Sequence, residues 1–284
     1  MRIYGVKSSL GASESLFVLP ILCLLILVFF VPLSHVFYFS LFPDGEFSLS
    51  GFKEVLSDEL FERVLYNTIE ISALATFVSL LLGYPVAMHL AGLSPRRRAI
   101  YMSMVLLPFW TSILVKSYAF IILLGRAGIL NSALVFMLGE EARTQLILNR
   151  TGVIIGMSNF LVPFIVFPVL ANLLNQDKNL VQAAAIMGAG SVRIWWKVVV
   201  PQSLPAVVAG CFMCMVISLG FFITPALMGG SRDMMIANII DLYTRETLNW
   251  TAASAIGVVL LLLSGLVIFL LSRVSRSAGP FSNN

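Results

Sequence analysis

Long apolar runs separated by polar, glycine- and proline-marked connections set the pattern of this chain. Six runs are apolar enough and long enough to cross a roughly 30 Å hydrocarbon core as helices: 16–42, 67–91, 99–124, 151–174, 206–228 and 250–271. The pattern therefore predicts an all-α integral membrane protein of six transmembrane helices, forming one domain over 1–284. Basic Arg2 and Lys7 precede the first run, as in a signal peptide. That run is far longer than the roughly 7–15 residues of a signal core, and no small-residue cleavage site follows it, so an uncleaved anchor is expected.

Punctuation within the runs adds detail. Gly83-Tyr84-Pro85 predicts a break and kink near the inner end of the second span. The third span holds Pro108 and ends in Gly125-Arg126-Ala127-Gly128, after which a short apolar helix is expected over 129–138. Gly152 and Gly156 give the fourth span a small-residue face suited to helix packing, despite Pro163 and Pro168. Residues 44–63 read as an acidic loop, and 234–249 as a partly helical outer loop.

The stretch 178–205 is longer and more ordered in character than a plain connection. Lys178 to Met187 predicts a short helix rich in Ala183, Ala184 and Ala185, with Asn179 as candidate N-cap. Gly188 and Gly190 end it, Ser191 can cap a second helix, and that helix enters the membrane at Pro201. Ala183 and Ala184 would leave a flat face for a partner, and Gly188 would set the angle of the knob. An interfacial helix resting on lipid headgroups fits the same composition.

Charge then orients the chain. With the N-terminus inside, ten Lys and Arg fall on the inner side (2, 7, 96, 97, 98, 178, 193, 197, 273, 276) and seven on the outer side (53, 63, 126, 143, 150, 232, 245). The excess and the membrane-end position of Arg96, Arg97 and Arg98 predict both termini in the cytoplasm. Composition excludes an ordinary soluble domain: 59% of residues are hydrophobic and 11% charged, against about 25% charged in soluble domains. Mean hydropathy is +0.96. No G-x-x-x-x-G-K-[ST], H-E-x-x-H or metal-spaced His/Cys set occurs. Cys211 and Cys214 are read as neighbours on a helix, His35 and His89 as interfacial, and Asn249-Trp-Thr251 as a chance sequon. Lys116 lies inside the third span, where an ammonium is costly. It is expected to snorkel outward or pair with Glu70, the alternative being a residue of a translocation path.

The residues Gln182-Ala183-Ala184, Gly188-Ala189, Val198 and Val200-Pro201 resemble a pattern found in permease subunits of binding-protein-dependent ABC importers. That pattern is Glu-Ala-Ala, three residues, Gly, nine residues, Ile-x-Leu-Pro, so this chain departs by Gln182 for Glu and by valines for Ile and Leu. The spermidine/putrescine class is resembled more specifically by Pro108-Phe109-Trp110-Thr111-Ser112 with Lys116 and Tyr118, by Ser218-Leu219-Gly220 through Pro225 to Gly229-Gly230, and by Gly83-Tyr84-Pro85.

The resemblance spans nearly all of 60–275. It implies the type I importer permease fold and a cytoplasmic coupling helix formed around Gln182, Ala183, Ala184, Gly188 and Ala189, with Val198 and Pro201 behind it. It also implies a bacterial inner-membrane setting and no catalysis in this chain. ATP and Mg would be bound by two separate ATPase subunits, and the other partners would be a second, paralogous permease and an external binding protein. Trp110, Lys116, Tyr118, Phe221, Phe222 and Glu70 are the candidate pathway residues, the aromatics through cation–π contacts with an amine. No nucleic-acid partner is implied. A self-sufficient carrier or channel is the second reading, and a membrane enzyme a third.

Overall fold

The computed structural model describes residues 12–277, so Arg2 and Lys7 lie outside the described residues. The chain runs through α1 (Ala12–Leu41), α2 (Ser50–Ser57), α3 (Glu59–Ala91), α4 (Pro95–Trp110), α5 (Ile113–Leu124), α6 (Ile129–Leu138) and α7 (Arg150–Asn175). It continues through α8 (Lys178–Ile186), α9 (Ser191–Ile194), a π-helical turn (Trp195–Val199), α10 (Val200–Leu219), α11 (Ile223–Met228), α12 (Ile236–Arg245) and α13 (Trp250–Ser277).

The core is α3 against α7, with α10 laid across both. A stripe of small residues on α3 makes the approach close: Ser72, Ala75, Thr76, Ser79, Gly83 and Ala87 are all buried. Met157, Leu161 and Ile165 of α7 fill the space opposite. Two hydroxyls weld the pair, Ser79 Oγ and Ser158 Oγ both donating to the carbonyl of Ala75 at 2.6 and 3.2 Å. The small face of α7 at Gly156 serves another neighbour. A Cβ there would stand 2.7 Å from Thr224 and 2.9 Å from Met228 Sδ, so Gly156 lets α11 in. A second cluster joins α2, α3, α12 and α13 through Val55, Phe61, Ile236, Ile239 and Ile256. Along the bundle α1 packs mainly on α13, and its apolar surface is otherwise exposed.

Several expectations change. The second helix starts at Glu59 rather than near Asn67, because the Asp58 carboxylate accepts from Leu60 N at 2.9 Å and caps it. Acidic Glu59 and Glu62 then sit in its first turn, where the helix dipole favours them. It runs unbroken through Gly83-Tyr84-Pro85 to Ala91. Arg98 closes its far end by donating to the carbonyls of Leu90, Ala91 and Leu93.

The third and fifth runs are each broken in two. Between α4 and α5, Thr111 and Ser112 are extended, with ψ of 140° and 131°. A continuing helix would need the carbonyls of Leu107 and Pro108 as acceptors. Thr111 Oγ1 takes the first at 2.9 Å and Lys116 Nζ the second at 2.7 Å. A stretch there that is long and apolar enough to cross a membrane, by length and composition, is 113–138, made of α5, α6 and their connection and overlapping the expected 99–124. In the fifth run α10 ends at Gly220, and Pro225 belongs to the first turn of α11, the one place where a helix tolerates proline without loss.

Candidate functional site

Three places gather the chemistry-bearing residues. The first is the loop after α7. Asp177, not Asn179, caps α8, its carboxylate accepting from Asn179 N at 2.9 Å. At the other end Ala189 N donates to Ala184 O (3.1 Å) and Gly188 N to Ala185 O (3.0 Å), with Gly188 at φ 78°. This is a Schellman stop, and its left-handed position suits glycine. Gly190 holds the N-cap position of α9 and Ser191 is its first residue, so Ser191 is not the cap.

Gln182 and Ala183 are exposed, but Ala184 faces inward and is buried, so the expected flat Ala183–Ala184 face is not presented. The outer surface of the tip is apolar instead, with Ile186 87% and Met187 80% exposed. Beside it lies a groove lined by Gly188, Gly190, Val192, Arg193, Trp196 and Lys197. Ile186 and Met187 escaped the sequence reading because an apolar pair at a helix end reads first as buried.

Behind the tip, Val198 lies in the π turn, where Val200 N reaches back to Trp195 O. Pro201 lacks the N–H that an α-turn would direct at Lys197 O, so the wider turn costs little there. Pro201 itself is exposed in the first turn of α10.

The second place is the broken third span. Lys116 is half-buried, and besides bonding Pro108 O its ammonium lies 5.0 Å from the Phe160 ring centroid. Phe109, Phe160, Phe164 and Phe221 form a ring cluster with centroids 5.4–5.7 Å apart. The cluster thus joins the break at 111–112 to the break at 220–222. Of the candidate pathway residues it includes Lys116 and Phe221. Trp110 touches only its edge, at 5.9 Å from Phe109, and is 81% exposed. Tyr118 is exposed elsewhere, and Phe222 lines a shallow pocket with Asn238 and Asp241. Phe160 and Phe164 were missed, although their spacing of four on one helix was a readable signal.

The third place corrects the expected Lys116–Glu70 pair. Glu70 binds Arg150 Nη1 at 2.6 Å, while Arg150 Nε reaches Asp233 at 3.3 Å and its Nη2 donates to Asn67 Oδ1 at 2.9 Å. Asn67 Nδ2 in turn donates to Arg232 O, and Asp233 accepts from Gly230 N. Nearby, the Tyr243 hydroxyl donates to Asp58 at 3.0 Å. Burial first, then that hydrogen bond and the charges of Asp58 and Glu54, push the phenol above its usual value. Glu70 is therefore a member of an ionic knot with Arg150, Asp233 and Asn67.

The described residues thus form an integral membrane bundle with membrane-length helices, two broken spans meeting at an aromatic cluster, and a capped tip outside the bundle. Residues 79–277 match the family described as the binding-protein-dependent transport system inner membrane component, and the chain belongs to that family. It is a multi-pass permease subunit of the inner membrane.

The chain is 31% identical over 221 residues to the spermidine/putrescine transport system permease protein PotB of Haemophilus influenzae, covering 78% of this chain and 77% of that one. It is 29% identical over 279 residues to the putative 2-aminoethylphosphonate transport system permease protein PhnU of Salmonella paratyphi A, covering 95% and 94%. The fold is shared with a permease chain in the crystal structure of a bacterial alginate ABC transporter bound to its periplasmic protein, with TM-score 0.76, 17% identity and 93% of both chains covered. It is shared less closely with a chain of the MetNI methionine ABC transporter in an inward-facing form, with TM-score 0.60, 20% identity, and 78% and 96% covered.

Proposed function

We propose that this chain carries a small amine-bearing solute, a polyamine or a related compound, across the membrane as one of two paralogous permeases. Two ATPase subunits, which hold the ATP and magnesium, seat on the tip formed by α8 and α9. A binding protein delivers the solute from outside, and both termini lie in the cytoplasm.

The observation that carries this reading is the tip itself. Ile186 and Met187 are apolar and open to solvent at the end of a helix capped at both ends, beside Gln182 and Ala183. Burying one such side chain is worth about 1.5–3 kcal/mol, so a partner groove would be held mainly by shape and apolar contact. The positions of Gln182, Gly188 and Ala189 on this tip fit the resemblance to a coupling helix, while Ala184 would act from behind by packing.

The test is uptake of labelled putrescine, spermidine and 2-aminoethylphosphonate into inverted and right-side-out vesicles. Uptake should require ATP and the binding protein, and should survive collapse of the proton gradient. Uptake driven by the gradient alone would favour a self-sufficient carrier. For orientation, an externally active reporter fused after Asp44 or Asn238 should be active, and one fused after Arg98 or Asn179 silent. The reverse would overturn the assignment of the loop to the cytoplasm.

A further inference from the structure

The coupling reading raises a mechanical question: how does a push on α8 reach the membrane core? Within the chain α8 packs chiefly on α9 and on the π turn. The π turn is therefore the main packed route from the tip to the bundle, and specific contacts fasten it on two sides.

On the α3 side, Trp195 Nε1 donates to Met88 Sδ at 2.8 Å, and its ring meets Tyr84 edge-on at 6.4 Å. Tyr84 continues the link, its hydroxyl lying 2.9 Å from Ser203 Oγ on α10. On the α7 side, Gln176 Nε2 donates to Val199 O at 3.3 Å and to Asn172 Oδ1 at 3.1 Å. Trp195 is bracketed by Trp196, with ring centroids 4.7 Å apart, but Trp196 is exposed while Trp195 is not.

From this arrangement we infer that Trp195 is a positioning residue that carries displacement of the α8–α9 tip to α3 through Met88 and Tyr84. The single indole proton gives the contact a direction: a sulfur acceptor on one helix is held by a donor on another. The Gly83 position lets α3 lie close to Ile165 of α7, so a shift imposed at Tyr84 and Met88 is passed on to the α3–α7 pair. The π turn suits the role, because Trp195 is itself bonded into it, its carbonyl accepting from Val200 N at the start of α10.

This inference rests on the ATPase docking proposed above, and its test separates the two. Spin labels on α3 (Leu81→Cys) and α13 (Leu262→Cys), both exposed, are introduced after replacing Cys23, Cys211 and Cys214. Distances are measured in the purified complex with its ATPases, with and without trapped nucleotide. The wild type should show a nucleotide-dependent shift. Trp195→Ala should keep the ATPases bound and hydrolysing yet lose the shift, and the ATP spent per solute moved should rise severalfold. Trp195→Phe, which keeps the ring but removes the donor, should fall between.

If Trp195→Ala does not insert, Met88→Leu removes the acceptor sulfur at similar bulk and should weaken the shift in the same direction. A wild-type shift in these variants overturns the inference. So does a shift lost only in step with ATPase retention. ATPases that fail to copurify with the wild type would instead sink the docking proposal itself.

Discussion

The end of this molecule around Arg150 and the α8–α9 loop are built on opposite plans. At the first, Arg150 ties three elements together, holding Glu70 of α3 and Asp233 of the loop before α12 from its own place at the start of α7. Side chains from distant parts of the sequence satisfy one another there, and the apolar residues of α2, α12 and α13 are packed beneath. The α8–α9 tip is held by local backbone bonds at its ends and a few fastenings behind, and Ile186 and Met187 are exposed. A region that satisfies its own needs is built to stay. One that caps its backbone but leaves Ile186 and Met187 bare is built to be met.

The contrast can be broken most forcefully at Arg150. Arg150→Met leaves the Glu70 and Asp233 carboxylates without their cation, with Asp233 only 11% exposed. Exposed pairs are worth about 0–1 kcal/mol and breaking a buried pair costs about 3–5, so a loss near 3 kcal/mol is expected for this half-buried knot. Thermal unfolding in detergent would show it, and an unchanged midpoint would mean the knot is ornamental.

Ile186→Ser comes next, with the opposite signature. Stability of the isolated subunit should hold, while ATPase retention falls by about 2 kcal/mol, the worth of one buried aliphatic side chain. Equal loss of both would mean that the tip packs on this chain's own surface.

Gly188→Asp should have a smaller effect. No atom lies within 4 Å of a Cβ built there, so the cost is the left-handed backbone, about 1–2 kcal/mol, moderated because Asp visits that region more readily than most residues. Uptake should fall severalfold with insertion preserved, and wild-type uptake would count against an angle-setting role.

The smallest effect is expected at Gln182. Gln182→Glu adds one exposed charge, worth about 0.2–1 kcal/mol if the ATPase offers a cation, so retention should tighten at low salt only. Loss of the complex would place a carboxylate or an apolar wall opposite.

What the sequence disclosed follows the same division. Local features were readable: α6 falls at 129–138 as expected, and Gly188 stops its helix in the left-handed conformation glycine favours. Features decided by partners across the fold were not. Hydropathy averaged over a window does not mark the break at Thr111-Ser112, where Thr111 Oγ1 and Lys116 Nζ hold the carbonyls of Leu107 and Pro108. Lys116 and Glu70 were plausible partners by depth alone, but Arg150 lies nearer to Glu70 in space. Asp177 and Asn179 are both good capping residues, and only the backbone geometry chooses between them. Ala184 was placed outward because small residues suit either face of a helix, and which face looks in depends on α9 and the π turn behind it.

The Schellman stop on α8 has a consequence for the lifetime of the complex. Its last carbonyls are already bonded by Gly188 and Ala189, and Asp177 holds the first turn, so little backbone freedom remains to be lost on docking. A floppy loop of the same composition would surrender about 1–2 kcal/mol per residue ordered and would release its partner correspondingly faster. In the docking proposed above, the tip would meet its partner with that entropy already spent, so even a modest apolar contact would suffice to hold it.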